Sequence, residues 1–414
     1  MTALRKLASL GLLTSALVAP ALASAQEPER NVAVQDRPRP DYDPLGIRAG
    51  SFFFFPSFTV QGVYDDNVFA VSEDEDDDFG LVLSPELLIS SNFSRHALNF
   101  RAGADFGLWE EFDDNNYEDA HAETNGRLDI TRADQVTAGL GIYRSHEERS
   151  SPDDVGTEEP TIFYRGVGQL GYRHTFNRIY TQFGAQAQRL DFEDNNDINE
   201  DDRDRMVYDT TARVGYQISP RFGAFLQGGY QVTKYDTTGD DGLKRDSKGF
   251  DVRIGTDIDI TGLVFGELGV GYTRRSPDSS DLDSFDGVGG GGKITWNITP
   301  LTTLIFDAAG QIDETTVKVD GEPASANFQK SIGLDVTHEL LRNVLLNGNV
   351  AFVRDDFEGT SRTDNSYFAG AGVSYLINRN FSLDATYRFA TRDSDVQTED
   401  YTSNIVRLGI TARL

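Results

Sequence analysis

The stretch Phe381–Phe389 reads Phe-Ser-Leu-Asp-Ala-Thr-Tyr-Arg-Phe, and apolar and polar side chains alternate along it without a break. Successive side chains of a β-strand point to opposite faces, so this alternation predicts a strand with one apolar and one polar face. The same pattern runs through Phe250–Ile260 and Leu98–Leu108. A chain built of such segments is expected to be all-β.

The connections between these segments are of two kinds that alternate along the chain. Short turns, such as Phe176-Asn177-Arg178 and Ser219-Pro220-Arg221, are followed by longer acidic connections such as Glu147–Glu159. Short turns at one end and long loops at the other are typical of outer-membrane barrels. The connections predict a transmembrane antiparallel up-and-down β-barrel of about 18 strands, with 16 as the alternative. The glycine-rich segment Gly287–Gly292 is expected to form a bend or a wide loop.

The first residues have the features of an export signal. Arg5 and Lys6 precede an apolar run from Leu7 to Ala21, and Ala23-Ser24-Ala25 offers the small residues that signal peptidase requires. We expect a cleaved Sec-type signal peptide at residues 1–25, a periplasmic N-terminal tail at 26–50 and the barrel at 51–414. An even number of strands then places both termini in the periplasm.

Composition narrows the class of protein further. The formal net charge of −29 argues against nucleic-acid binding, which needs a basic surface. Cysteine is absent, so disulfides cannot stabilise the fold. The mean hydropathy of −0.43 fits a barrel, whose strands carry apolar residues only in alternation.

The segment before the first strand carries a distinct pattern. Residues 37–52 read Arg-Pro-Arg-Pro-Asp-Tyr-Asp-Pro-Leu-Gly-Ile-Arg-Ala-Gly-Ser-Phe, and residues 62–69 read Gly-Val-Tyr-Asp-Asp-Asn-Val-Phe. The pattern resembles the putative β-barrel porin type 2 family, outer-membrane barrels frequent in α-proteobacteria. Some members are associated with capsule or exopolysaccharide synthesis and export, and the resemblance implies a saccharide as one class of partner.

The polar face of each strand carries the candidate functional residues. If the apolar face meets lipid, the polar face lines the lumen. Fixed charges there could shape the field across a conducting pore, or they could form cross-strand salt bridges that only stiffen the wall. The predicted lumen-lining residues are Arg101, Asp105, Glu123, Arg127, Asp129, Arg165, Arg173, Gln182, Gln186, Gln188, Asp209, Arg213, Arg253, Asp257, Glu267, Asp307, Asp335, Asp384, Arg388 and Arg407.

No pattern of catalytic or metal-binding residues stands out. The five histidines are scattered, and no hydrolase or zinc-protease motif is present. The acidic segment Asp191–Asp197 could supply oxygen ligands for calcium, but it lacks the glycine and glutamate of an EF-hand loop. We expect a solvated surface there, and no catalytic residue, cofactor or metal site.

These observations predict a porin-like barrel of the bacterial outer membrane that passes small hydrophilic solutes or saccharides, with a link to exopolysaccharide or capsule export implied by the resemblance. One alternative is a non-conducting structural or surface-interaction barrel that displays acidic loops. A remote one is a barrel enzyme acting on lipid. The expected partners are outer-membrane lipid, lipopolysaccharide and the barrel assembly machinery. The sequence leaves the oligomeric state open.

Overall fold

The computed structural model describes residues 31–414 apart from Val155, Glu158, Asn196, Asp197, Asp240 and Asp320. The predicted signal peptide therefore lies outside the described residues. None of the described helices is long and apolar enough to cross a membrane. These helices are short 3-10 turns at Val34–Asp36, Asp113–Asn115, Asp201–Arg203 and Gln397–Glu399.

The described chain is otherwise dominated by long antiparallel strands. In chain order they are β1 (Phe52–Asp65), β2 (Asp78–Ser91), β3 (Ala97–Trp109), β4 (Tyr117–Asp129), β5 (Asp134–His146), β6 (Ile162–Phe176), β7 (Ile179–Phe192), β8 (Arg205–Ser219), β9 (Phe222–Tyr235), β10 (Ser247–Ile260), β11 (Val264–Pro277), β12 (Phe285–Thr299), β13 (Thr302–Asp313), β14 (Ala326–Leu341), β15 (Val344–Glu358), β16 (Thr363–Leu376), β17 (Phe381–Ser394) and β18 (Tyr401–Arg413).

The strands close into a ring. Each pairs with its neighbours in sequence, and β18 pairs with β1 from Ile405–Asp65 to Arg413–Ser57. The sheet counts 19 strands because the short strand Ile47–Ala49 joins its edge, which leaves 18 in the ring. The predicted antiparallel barrel and its strand count are thus confirmed. Closure pairs the backbone of both end strands, which a sheet in hydrocarbon requires.

The connections separate by length, as predicted. At one end, here called the turn end, they contain two to five residues; at the other, the loop end, they contain four to fifteen. The shortest connection at the loop end is residues 359–362. The longest connection, residues 147–161, is called the strap below.

Strands β11 and β12 contain glycines with unusual backbone angles. Gly266 and Gly290 have φ angles of +147° and +132°, which L-residues with side chains rarely adopt. A Cβ on Gly266 would lie 1.9 Å from the Lys293 carbonyl oxygen. The glycine-rich segment Gly287–Gly292 lies within the continuous strand β12, so the expectation of a wide loop is wrong.

The first residues of β1, Phe52–Phe54, pair with a short additional strand. Because β18 ends opposite Ser57, the first residues of β1 have no partner from that side. The chain turns back before β1, and Ile47–Ala49 pairs with Phe52–Phe54. The opposite edge of the same residues pairs with β2. An edge that would otherwise be open is thereby occupied.

A charge on the outer face should impair folding. Ile254 on β10 is 63% exposed on the convex face. We expect Ile254→Arg to cost about 2–4 kcal/mol at the bilayer midplane, measured as loss of the heat-modifiable folded band on gels. Thr386→Ser, on the concave face of β17, is the matched control and should keep that band. Equal loss in both variants would contradict the assignment of faces.

Gly255 cannot serve as such a control, although its alternation places it on the concave face. A Cβ there would lie 2.2 Å from the Phe225 ring and 2.5 Å from the Leu268 carbonyl oxygen. A polar side chain at Gly255 should therefore disturb the packing, even though it would point into the lumen.

Candidate functional site: a lumen narrowed at both ends

The predicted lumen residues all lie on one face of the sheet, and that face is concave. Cross-strand register links them, for example Arg101 opposite Glu123 and Gln182 opposite Arg213. Arg213 on β8 also reaches Glu267 on β11, with Nη1 and Oε2 2.6 Å apart, across two intervening strands. Such a contact is possible only from inside the curve of the wall.

Several of these charges are paired with one another along the wall. Glu267 accepts hydrogen bonds from both Arg213 and Arg253, and Glu86 accepts two from Arg101. Arg127 Nε lies 3.3 Å from Asp129 Oδ2. This part of the set therefore stiffens the wall, the second of the two roles considered for it.

Other arginines cover aromatic rings instead. Arg165 lies 4.2 Å from the centroid of Tyr143, and Arg173 lies 4.0 Å from that of Tyr180. Arg388 stands 5.3 Å from the Phe368 centroid. Within the described part of the chain, none of these three guanidinium groups has a carboxylate within 4.0 Å. Their charge is thus available to the lumen, and the ring faces are not.

The remaining predicted residues are spread around the wall. Asp257 accepts from Tyr180 at 3.0 Å, Asp384 from Ser374 at 2.6 Å and Asp105 from Ser84 at 2.5 Å. The others occupy concave positions by register: Gln186 and Gln188 on β7, Asp209 on β8, Asp307 on β13, Asp335 on β14 and Arg407 on β18. The structure does not gather the predicted set into one compact site.

The strap folds into the barrel rather than away from it. Thr315 Oγ1 donates to Asp153 Oδ1 at 2.6 Å, although their loops leave the ring nearly opposite one another, with eight strands between them on one side and ten on the other. Arg392 on β17 donates to the Ser150 carbonyl. The strap therefore crosses the loop end of the lumen.

A buried ionic cluster fixes the base of the strap. Arg203 donates to both carboxylate oxygens of Glu147, each at 2.9 Å, and to Glu200 at 3.0 Å. Arg203 is 7% exposed and Glu200 only 2%. Burial alone would lower the pKa of Arg203, but the Glu147 carboxylate raises it above its usual value. A pair of this kind is costly to break from one side.

The middle of the strap carries a second titratable pair. Burial raises the pKa of Asp154 to about 6, and the Arg149 guanidinium, 3.8 Å away, offsets this only in part. Burial likewise raises the pKa of Asp153. These shifts follow from enclosure of the strap inside the wall.

The N-terminal segment, residues 31–43, lies across part of the turn end. Arg39, 1% exposed, donates to Glu339 Oε2 on β14 at 3.0 Å and to the Val34 carbonyl at 2.8 Å. The Val34 amide donates to Thr303 Oγ1 at 2.8 Å. Further contacts run from Asp259 on β10 to Arg413 on β18, so the segment covers nearly half of the mouth.

The uncovered part of the turn end opens into a cavity of about 690 Å³. It is bounded by the turns after β2 and β4 and by the ends of β4, β5 and β6. Its wall includes Arg95, Arg132 and Arg173, with Asp129 and Gln135. The opening at this end is therefore off-centre, on the side away from the N-terminal segment.

The sequence did not predict that the strap crosses the loop end or that the N-terminal segment covers part of the turn end. The strap is an acidic connection like the others, and its alternation gives no sign that it turns inward. Three prolines in residues 38–44 suggested only an extended segment. The one available signal was Glu339, an acid at a concave position close to the end of its strand.

A histidine–aspartate pair bears on the enzyme alternative. His174 Nδ1 lies 2.6 Å from Asp134 Oδ1 at the turn end. Among the residues that the structure describes, no serine or threonine hydroxyl bonds to this histidine. A nucleophile positioned for acyl transfer is therefore not seen beside it.

Comparison with protein families identifies the class of this chain. The family model described as putative beta-barrel porin 2 matches residues 39–414. No curated protein is detectably similar to this chain. Similar solved structures include OpdL from Pseudomonas aeruginosa, with 12% identity, a TM-score of 0.44, and 88% of this chain and 99% of that chain covered. Another is OpdK with vanillate from the same organism, with 11% identity, a TM-score of 0.44, and 87% of this chain and 98% of that chain covered. At these values the two structures say nothing about what this chain binds.

Proposed function

Because this chain belongs to the putative beta-barrel porin 2 family, we propose that it forms a narrow outer-membrane channel for small hydrophilic solutes and has no enzymatic activity. The observation that carries the proposal is the concave wall, where charged and amide side chains from Arg101 on β3 to Arg407 on β18 share one face. An interior of this kind holds water and suits polar solutes. The strap would then act as the constriction of the pore.

The test is the conductance of purified, refolded protein in a planar lipid bilayer. Steady ohmic steps are expected, smaller than those of an unobstructed barrel of the same strand number because the strap and the N-terminal segment narrow both ends. A silent bilayer with correctly folded protein would refute the channel and favour the second candidate, a closed structural barrel. Occupation of both ends is the observation on which that candidate rests.

A polysaccharide as the transported molecule is less well supported than a small solute. Sugars bind in channels by stacking on open aromatic faces, but Tyr143, Tyr180 and Phe368 present theirs to arginine side chains. A polymer would also have to displace the strap. The link to exopolysaccharide export rests on the family resemblance, and small saccharides remain within the proposed solute class.

The proposal includes the orientation of the barrel in the outer membrane and its export from the cytoplasm. We place the turn end in the periplasm, together with both termini, and the loop end outside the cell, following the general rule for such barrels. The proposed partners are outer-membrane lipid, lipopolysaccharide and the assembly machinery. The cleaved signal peptide remains a prediction.

Surface labelling should confirm this orientation. We expect an impermeant maleimide to label Asp76→Cys on intact cells, because Asp76 lies in an exposed stretch of the loop end. Asn177→Cys, in the turn between β6 and β7, should be labelled only after the outer membrane is opened. The reverse pattern would mean that the barrel is inverted. Asp154 is unsuitable as a probe because it is buried in the strap.

The acidic mouth should make the channel mildly cation-selective at low salt. Residues Glu73–Asp77 are exposed at the loop end, whereas Asp78 is buried and accepts the amides of Glu111 and Phe112. Exposed carboxylates raise the local cation concentration, an effect that fades as the Debye length falls from about 10 Å at 0.1 M salt to about 3 Å at 1 M. Reversal potentials in potassium chloride gradients at two mean concentrations measure it.

The matched variant neutralises Glu73–Asp77 to Gln and Asn and leaves Asp78 intact. Its reversal potential at low salt should move toward zero. Anion selectivity of the unaltered protein would show that Arg165, Arg173 and Arg388 dominate the pore instead.

A further inference from the structure

An acidic enclosure lies beneath the strap, on the wall formed by β13, β14 and β15. Asp313 ends β13, Glu314 follows it, and Asp355 lies on β15. Asp313 pairs with Asn327 across β13 and β14, and Asp355 pairs with Gln329 across β14 and β15, so the four side chains are neighbours on the concave face. The strap residue Asp153 is held nearby through Thr315. Asp355 is 2% exposed and therefore lies in a low-dielectric environment, whereas Asp153, Asp313 and Glu314 are partly exposed.

Neutral groups alone bind these four carboxylates within the described residues. No described lysine or arginine nitrogen lies within 4.0 Å of any of them. Their donors are amides and hydroxyls at ordinary distances: Gln311 to Asp313 at 2.7 Å, Thr315 to Asp153 at 2.6 Å, Asn327 and Gln329 to Asp355 at 2.8 and 2.9 Å, and Thr233 and Ser247 to Glu314 at 3.1 and 2.8 Å.

Two buried amide oxygens beside Asp355 have no hydrogen-bond donor within the described residues. Asn327 and Gln329, 7% and 6% exposed, each direct their NH2 group to Asp355 Oδ1. Their oxygens, Oδ1 and Oε1, are buried and accept no hydrogen bond. Each oxygen shares a carbon with the donating nitrogen, so both lie close to that carboxylate. Exchanging oxygen and nitrogen would set two oxygens against a carboxylate and is unfavourable.

From these contacts we infer that the enclosure is a cation site, formed by the carboxylates of Asp313 and Asp355 with the amide oxygens of Asn327 and Gln329, and that it takes calcium. Buried charges are normally paired or coordinate metals, and buried acceptor oxygens normally have a partner. Carboxylate, amide and water oxygens together are the ligands that calcium prefers.

The proposed ligands combine carboxylate oxygens with amide oxygens, because the carboxylates alone are too few. Among the described residues, no three acidic or histidine side chains converge closely enough to hold a metal by themselves. The amide oxygens are therefore essential, and water completes the coordination. Asp153 and Glu314 add negative charge around the site, and Asp153 connects it to the strap. The sequence predicts no metal site, and the calcium titration below tests this inference against that prediction.

Calcium titration of the folded full-length protein in detergent, after treatment with chelator, tests the site without any need for conduction. Calorimetry should show one saturable site, and thermal unfolding should shift upward with calcium. Asp313→Asn/Asp355→Asn should weaken that binding by about tenfold or more, because affinity depends on ligand charge. The control, Glu73→Gln/Glu75→Gln, removes two exposed loop carboxylates and should leave it unchanged.

A second variant covers the case in which the double substitution does not fold. Gln329→Glu adds a carboxylate beside Asp355, so the folded band should become dependent on calcium and calcium should bind more tightly. The inference is overturned if unaltered protein gives no calcium-dependent shift, or if the control loses binding while Asp313→Asn/Asp355→Asn retains it. It is also overturned if Gln329→Glu folds equally well with and without calcium. Each of these results is independent of whether the barrel conducts.

Discussion

Replacing strap residues 149–159 with a short Gly-Ser turn should raise the single-channel conductance several-fold. The strap crosses the loop end from the β5–β6 side to Thr315 on the far side, so it removes open cross-section from the lumen there. Conductance follows the open cross-section, and the wall that remains is polar. The ends of β5 and β6 stay paired through His146 and Ile162, so the barrel itself should survive the change.

Two matched variants separate this effect from a general disturbance of the loops. Exchange of Glu73–Asp77 for Gly-Ser residues of equal length alters an exposed loop segment, and it should leave the conductance at high salt unchanged. Asp153→Ala/Thr315→Ala cuts the far tether but keeps the strap, so it should give fluctuating currents between the two levels. An unaltered conductance after strap removal would mean that other loops, and not the strap, limit the pore.

Glu339→Ala should release the N-terminal segment from the turn end. The substitution leaves the Arg39 guanidinium buried with only backbone carbonyls as partners. Breaking a buried ion pair from one side costs about 3–5 kcal/mol. The other contacts of the segment are hydrogen bonds, most of them to backbone carbonyls, so we expect the loss of this pair to release it. A nitroxide at Asp36→Cys, an exposed position of the segment, should change from an immobilised to a mobile spectrum.

The double variant Arg39→Met/Glu339→Leu is the control for this experiment. It removes both charges and replaces them with apolar side chains, so no unpaired charge remains and the nitroxide should again be immobilised. If Glu339→Ala leaves the spectrum unchanged, the ion pair does not hold the segment. Release should also widen the turn end, and the conductance of Glu339→Ala should rise.

The barrel was predictable from the sequence because its signals are local. Alternation in Phe381–Phe389 identifies a strand, and the same alternation places Arg388 on the concave face. Turns such as Ser219-Pro220-Arg221 locate the ends of strands. Closure then follows from the requirement that every backbone group be paired in hydrocarbon.

The positions of the strap and of the N-terminal segment were not predictable, because they depend on contacts between residues that are distant in the sequence. Asp153 meets Thr315 and Arg39 meets Glu339, pairs that are 162 and 300 residues apart. Asp153 and Arg39 lie in polar segments without hydrophobic periodicity. The local sequence therefore does not distinguish a segment that turns into the barrel from one that stays in solvent. The alternation likewise identified Gly255 as a concave position but gave no hint of the Phe225 ring that fills the space beside it.

The pairing of Ile47–Ala49 with β1 has a consequence for how the chain folds. Strand β1 can pair with its partner β18 only after the residues up to Arg413 have been made, since Ser57 and Arg413 are far apart in the sequence. Contacts of such high sequence separation form slowly, whereas a local hairpin forms in about 1–10 μs. The first strand can therefore acquire a partner for its exposed end long before the ring closes. This early pairing would deny neighbouring nascent chains a template for aggregation during assembly.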